Sequence, residues 1–288
     1  MVDNKQVPGT SRVERKKKRE AMDILITGLM LGAIYALMAM GLTLQYGVSR
    51  IMNLANGEML VAGAFGAFWI FTVHKVSPYW AALFVVPLAF IVNWLVYRYL
   101  LSPLVRRAKS RGQLEVDSIL ATFGMSFAFV GIMLWWFGGE FFTYSFLATP
   151  VEFLGSPYAL NRLVACAASV VICFLLYLGI YRTRTGAAIR AVAVDPAAAG
   201  LVAINVPLVC ALSFALGGAI TAAGGILFST FYALDASVGV VYTMKALIIV
   251  IMGGVGDVRG AVVAAFVLGV AETFVASLID PGLTLAAA

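Results

Sequence analysis

Charge is what this sequence has least of. Asp, Glu, Lys and Arg make up 12% of its 288 residues, about half the share usual in a soluble domain. A soluble chain of this length must clothe its outside in polar groups, and there are too few here to do it. Histidine is reduced to His74, and cysteine to Cys166, Cys173 and Cys210. That excludes a Cys/His metal cluster and leaves no reserve of general bases for acid–base catalysis. No G-x-x-x-x-G-K-[ST] string occurs, so the chain is not itself a P-loop ATPase. Cys166 and Cys173 stand seven apart inside an apolar run and read as small packing residues rather than a disulfide or redox pair.

What fills the space is hydrocarbon. Hydrophobic residues reach 62% without glycine, against about 45–50% with glycine included in an ordinary soluble domain. The mean hydropathy is +0.98, and lipid is therefore the solvent. Apolar blocks occupy 23–48, 51–73, 79–101, 117–138, 161–181, 208–231, 241–256 and 260–279, most of them near the roughly 20 residues a helix needs to cross a bilayer. They are too long and too uniformly apolar for barrel strands, which alternate over about 10 residues. The expected fold is all-α: a polytopic helical membrane protein of about eight hydrophobic segments. Many of the 28 glycines lie inside the blocks. Gly28 and Gly32 share one helix face, as do Gly218 and Ala222, with Gly224 and Gly225 following. Small residues at this spacing let helix backbones approach closely in lipid.

The few charges are unevenly placed. Residues 1–21 hold seven basic and three acidic side chains, four of the net six positive charges, and the rest of the chain carries thirteen basic against eleven acidic. This stretch is a basic extension with three competing readings: a cytoplasmic anchor, a nucleic-acid or lipid-headgroup tail, or sequence upstream of a start at Met22. Residues 22–288 then form a single transmembrane domain. Because the net charge sits mostly in the extension, it does not argue for a nucleic-acid partner. Loop 102–116, with Arg106, Arg107, Lys109 and Arg111, and the stretch 182–207, opening on Arg182, Arg184 and Arg190, are expected to be cytoplasmic. Two blocks separate them, so the pair is self-consistent and the aromatic connection 139–160 falls outside. Three blocks separate the basic extension from loop 102–116. Either one block is re-entrant, or the amino-terminal end lies outside; the second needs no special structure.

Polar residues at membrane depth are candidates for function. The densest group is Arg50-Ile-Met-Asn-Leu-Ala-Asn-Gly-Glu58. Asn53, Asn56, Gly57 and Glu58 suit a locally unwound segment lining a polar cavity, or equally a polar clamp pinning two helices. Lys245 and Glu272 lie in consecutive late segments and are expected to pair, since an unpartnered charge there is costly. The turn Gly253-Gly-Val-Gly-Asp-Val-Arg-Gly260 reads as a tight membrane turn rather than a phosphate loop. The stretch 182–207 is long for a connector. Its alanines favour short helices, with Asp195-Pro196 ending one and capping the next. Such an elbow is either a docking surface for a partner protein or an ordinary interfacial helix.

These motifs resemble the permeases of branched-chain amino-acid ABC importers, of the LivH type. The resemblance rests on Gly28-Leu-Met-Leu-Gly-Ala-Ile-Tyr-Ala-Leu-Met-Ala-Met-Gly-Leu-Thr-Leu-Gln-Tyr-Gly47 followed by Arg50 to Glu58. It also rests on Arg184-Thr-Gly-Ala-Ala-Ile-Arg-Ala-Val-Ala, Leu212-Ser-Phe-Ala-Leu-Gly-Gly-Ala, and Lys245-Ala-Leu through Gly253-Gly-Val-Gly to Gly260-Ala-Val. It runs from about Met22 to Glu272 and is specific in combination. The resemblance implies a multi-pass subunit of a bacterial inner membrane that is not an enzyme and holds no cofactor. Such a subunit pairs with a second, LivM-like permease, receives solute from a periplasmic binding protein and docks two cytoplasmic ATPase subunits that bind the ATP. It implies Gly186, Arg190 and Asp195 as ATPase contacts in the coupling loop 182–207, and a lining or bracing role for Asn53 to Glu58. Members of the family also ordinarily continue with a further helix and a short basic tail, whereas this chain stops at Leu285-Ala-Ala-Ala288. The solute expected is a branched-chain amino acid or a similar small polar molecule such as urea, an amide or a carboxylate. The alternative is an ion-coupled secondary transporter or channel, which needs a line of intramembrane carboxylates or histidines; Glu58 and Glu272 are a thin supply.

Overall fold

A computed structural model describes residues 10–279 apart from 145, 154 and 155. Residues 1–9 of the basic extension, and the carboxyl end from Asp280 to Ala288, lie outside the described residues. Eleven α-helices follow in order among the described residues. They are α1 (Thr10–Ser49), α2 (Asn56–His74), α3 (Pro78–Val96), α4 (Ser102–Arg107), α5 (Arg111–Phe137), α6 (Leu160–Arg182), α7 (Arg184–Val194), α8 (Pro196–Leu201), α9 (Val206–Ser229), α10 (Gly239–Gly253) and α11 (Val258–Ile279). A π-helical turn, Tyr97–Leu101, joins α3 to α4. Seven helices are long and apolar enough to cross a membrane, and α10, with 15 residues, is a shorter apolar one. The block expected at 241–256 is thus a part-span. The one hairpin described, β1 (Pro150–Phe153) paired antiparallel with β2 (Ser156–Ala159), lies in the connection 139–160.

Local chemistry sets the helix starts. Ser110, Thr183 and Asn205 each accept a backbone N–H three residues on, at the heads of α5, α7 and α9, which satisfies donors that the first turn leaves free. Proline stands at the first or second position of α3, α4, α8 and α9, where its missing N–H costs nothing. Gly138 ends α5 at a φ of 77°, in the left-handed region.

Helices α1 and α9 form the axis of the bundle. Of their most apolar stretches 72% is inside, against 17% for α3, α5 and α6, which keep most of their surface for lipid. The two axial helices touch backbone to backbone at Gly41 and Gly217: a Cβ on either would collide with the carbonyl oxygen of the other. Gly28 and Gly32 bring α1 equally close to Val270 and Phe266 of α11, and Gly225 brings α9 onto Leu60 of α2. The small-residue spacing is therefore used for helix approach, the packing that holds bundles in lipid.

The two ends of the bundle are distinguishable. At one, the hairpin residue Tyr158 donates a hydrogen bond to Asp23 (2.7 Å), Phe142 bridges to Leu234, and Asn161 donates to the Thr230 carbonyl (2.8 Å). At the other, Arg50 reaches the Ala193 carbonyl of α7 (3.0 Å), and Leu101, Leu104 and Ile189 share a core with Val48. Helix α1 thus runs from the hairpin end, at Asp23, to the elbow end, at Arg50. The stretch around Asp23 lies on the side opposite both basic loops, in keeping with the second solution of the parity conflict.

Candidate functional site

Helix α1 stops at Ser49 because Arg50 turns into the left-handed region, at a φ of 56°. Residues 51–55 then fold back into the bundle before α2 begins at Asn56. Asn56 lies at the depth of Met38 and Thr221, each more than two turns from the nearer end of its helix: it accepts from the Thr221 hydroxyl (3.1 Å) and donates to the Met38 carbonyl (3.5 Å). Asn53 donates to Gln45 Oε1 (2.9 Å), and Gln45 in turn donates to the Phe214 carbonyl (3.1 Å). The irregular backbone is satisfied as well. Ala55 N–H donates to Asn53 Oδ1 (3.0 Å) and Leu54 N–H to the Thr122 hydroxyl (3.1 Å). Broken helices survive at such depth only where protein supplies these partners.

The first turn of α2 meets the first turn of α10 head to head. Gly57 N–H donates to Thr243 Oγ1 (2.8 Å), and a side chain on Gly57 would collide with the Gly239 carbonyl. Glu58 is 1% exposed. Its Oε1 accepts from the Ser126 hydroxyl of α5 (2.9 Å), while Oε2 has no hydrogen-bond partner and lies against Gly239, where no Cβ intrudes. Two positive helix ends therefore face the same buried carboxyl, the arrangement that suits an acidic group. All four residues singled out between Asn53 and Glu58 come together here. In this conformation their polar groups are turned on neighbouring helices.

The elbow divides its candidates differently. Arg190 donates to the Ile180 carbonyl and lies over the Tyr181 ring at 5.2 Å. Gly186 is buried, and a Cβ there would collide with the Ile180 and Gly179 carbonyls. Both fasten α7 to the end of α6. Asp195 is exposed, and its Oδ1 accepts from Ala197 N–H (2.9 Å) and Ala198 N–H (3.2 Å), capping α8. Beside it Val194, Leu201 and Val202 are 84%, 89% and 69% exposed. Arg50 ties the elbow to the break: its guanidinium reaches one of the last carbonyls of α7, where a cation is favoured.

Lys245 and Glu272 meet inside the bundle at 2.7 Å, each with about a tenth of its side chain exposed. Tyr35 of α1 completes the cluster, donating to Glu272 Oε2 (2.9 Å) and accepting from Lys245 (3.1 Å). Among the described residues no group of His, Cys, Asp and Glu is placed to hold a metal ion, and all three cysteines are free thiols.

Residues 24–283, which include the break, the elbow and this cluster, match the family model described as Branched-chain amino acid transport system / permease component. The chain belongs to this family. Among its relatives, the high-affinity branched-chain amino acid transport system permease protein LivH of Escherichia coli K12 is 29% identical over 86% of this chain and 83% of its own length. The permease protein BraD of Pseudomonas aeruginosa is 29% identical over 87% and 84%. A probable LivH permease of Methanocaldococcus jannaschii is 26% identical over 88% and 80%. No solved structure matches the chain. It is a multi-pass membrane permease of the ABC importer kind, a transport component and not an enzyme.

Several partners in the permease's polar core lie far along the chain from the break: Thr122, Ser126, Thr221 and Thr243 are 68 to 186 residues from the groups they bind. One signal pointed to α5. Ser118, Thr122 and Ser126 recur every fourth residue in an apolar run, and all three are buried, Thr122 and Ser126 reaching the break. At the hairpin end, outside the spans, Tyr144 bonds Ser229 (2.9 Å) and packs on Phe68 and Phe71. Burial pushes its phenol up to about 12, with the Ser229 hydrogen bond pulling the other way.

Proposed function

We propose that this permease is one of two membrane subunits of an inner-membrane importer that moves branched-chain amino acids, or a similar small polar solute, inward. ATP is hydrolysed on two separate cytoplasmic subunits, and a periplasmic binding protein delivers the solute. The family match carries this reading, and the elbow supports it. The ATPase contact surface is the exposed edge formed by Val194, Asp195, Leu201 and Val202, while Gly186 and Arg190 hold that edge on α6 so that force is not lost in a loose loop. Arg50 transmits the movement to residues 51–58, whose hydrogen bonds to α1, α5, α9 and α10 exchange partners between outward-open and inward-open states. The work comes from differential contact in two states.

The test is uptake in proteoliposomes holding the permease with its partner permease and ATPases, fed by the binding protein. ATP-dependent uptake is expected, and Arg50→Met should leave ATP hydrolysis running while uptake falls. Uptake driven by a proton or sodium gradient with the ATPases absent would overturn the reading.

A further inference from the structure

One charged feature stands apart from the polar core, the elbow and the Lys245–Glu272 pair. Between α1, α6 and α11, in the elbow half of the bundle, lies an open groove of about 260 Å³. Its floor and walls are Met40, Cys173, Phe174, Val258 and Val262, and its mouth at the elbow end is framed by Tyr177 and Arg259. The guanidinium of Arg259 is fixed there by the Tyr177 hydroxyl (2.5 Å) and by the rings of Tyr177 and Tyr181, at 5.2 and 4.9 Å. Among the described residues no carboxylate side chain pairs with it. The nearby Asp257 carboxylate is engaged with the Arg259 backbone N–H, at the start of α11. Arg182, the last residue of α6, and Arg184, the first of α7, are both exposed at the elbow end.

An apolar slot lying along the helices and closed at the membrane surface by a rigid, unpaired arginine is complementary to one kind of neighbour. We infer that this groove binds an anionic phospholipid of the elbow-side leaflet, with an acyl chain along Phe174 and Val262 and the headgroup phosphate on Arg259. Arginine is suited to this because its planar fork meets phosphate oxygens two at a time. Basic pockets between membrane helices are where acidic headgroups are held. The contrast lies within the same molecule. A groove of about 290 Å³ between α2, α3 and α5 is lined by Met59, Val92, Phe129 and Met133 among others, with no cation in that lining among the described residues. It provides an internal control. The inference is independent of which solute is carried.

Cys173 supplies the probe, being one of three free thiols and part of the groove wall. The full-length chain with Cys166→Ala and Cys210→Ala is reconstituted in nanodiscs of dioleoylphosphatidylcholine alone, or equimolar with dioleoylphosphatidylglycerol, and alkylation of Cys173 by a membrane-permeant maleimide is timed. Phosphatidylglycerol should slow alkylation about fivefold, the weight of one arginine at an anionic surface. Arg259→Gln should remove the difference and Arg259→Lys should keep part of it, so the lysine variant decides if the glutamine variant does not fold. Free glycerol phosphate should give no protection, and a Val92→Cys thiol in the control groove should react at the same rate in both lipids. Equal Cys173 rates in the two compositions, a difference that survives Arg259→Gln, or protection that follows protein density instead of lipid charge would each overturn the proposal.

Discussion

Replacing Lys245 by methionine tests whether the buried cluster is a closed electrostatic unit. The change preserves length and removes the cation, leaving the Glu272 carboxylate, about nine-tenths buried, with the Tyr35 hydroxyl at 2.9 Å as its remaining hydrogen-bond partner among the described residues. Removing one partner of a buried pair costs about 3–5 kcal/mol, because the remaining charge stays desolvated. The hydrogen bonds alone are worth less than about 2 kcal/mol in a membrane interior, so the stranded charge decides the outcome. With about 2–4 °C per kcal/mol in chains of around 200 residues, the melting temperature in detergent should fall by about 10 °C. Adding Glu272→Leu and Tyr35→Phe removes the three polar groups described in the cluster and should recover most of that loss, as replacing whole buried ion clusters does. The measurement is thermal exposure of the buried Cys210 thiol, read with a thiol-reactive dye. An unchanged Lys245→Met, or a triple variant as unstable as the summed single changes, would refute the argument.

Three further outcomes are expected. Gly57→Ala drives a methyl group into the Gly239 carbonyl at the α2–α10 junction; overpacking of this kind costs about 1–3 kcal/mol, and the melting temperature should fall without change in solute preference. Asp195→Ala removes the cap of α8, a loss of about 1 kcal/mol, and on the proposed function it should lower ATP-driven uptake more than it lowers stability; equal effects would place Asp195 outside the ATPase contact. Tyr144 has a raised phenol, so the folded state holds that proton longer than the unfolded state does. Its contribution is intact below about pH 10 and is lost as the pH rises towards about 12; ultraviolet titration of wild type against Tyr144→Phe should reveal one late-ionising tyrosine.

The periodicity of apolar blocks gave the long helices, and the basic loops grouped at one end of the bundle as their shared charge suggested, because both signals are local and repeated. The gap between the blocks ending at 231 and starting at 241 marked residues 230–238 only approximately. They interrupt the bundle between α9 and α10, yet they are flanked by apolar sequence on both sides, and the early start of α10 at Gly239 depends on its contact with Gly57, 182 residues away in the sequence. The same holds for Tyr35. It lies in a run of alanines and methionines with nothing nearby to mark it, and only folding brings its hydroxyl to Glu272. Asp195-Pro196 was legible for the opposite reason: a carboxylate followed by proline is a complete helix start within two residues. Gly186 and Arg190 could be placed in the elbow from sequence, but which side of it they face depends on the end of α6.

The glycine contact between α1 and α9 makes α1 a lever with unequal arms. At 1.5 Å per residue, Gly41 stands about 12 Å from Ser49 and about 27 Å from Asp23. Rotation about this fulcrum by 5° moves the elbow end by about 1 Å and the hairpin end by more than 2 Å, and α11, seated on Gly28 and Gly32, is carried along. On the proposed function, a small stroke delivered through Arg50 would therefore be geared up at the far surface. At the fulcrum the two backbones meet directly, flanked by the Thr221 hydroxyl and the Gln45 side chain.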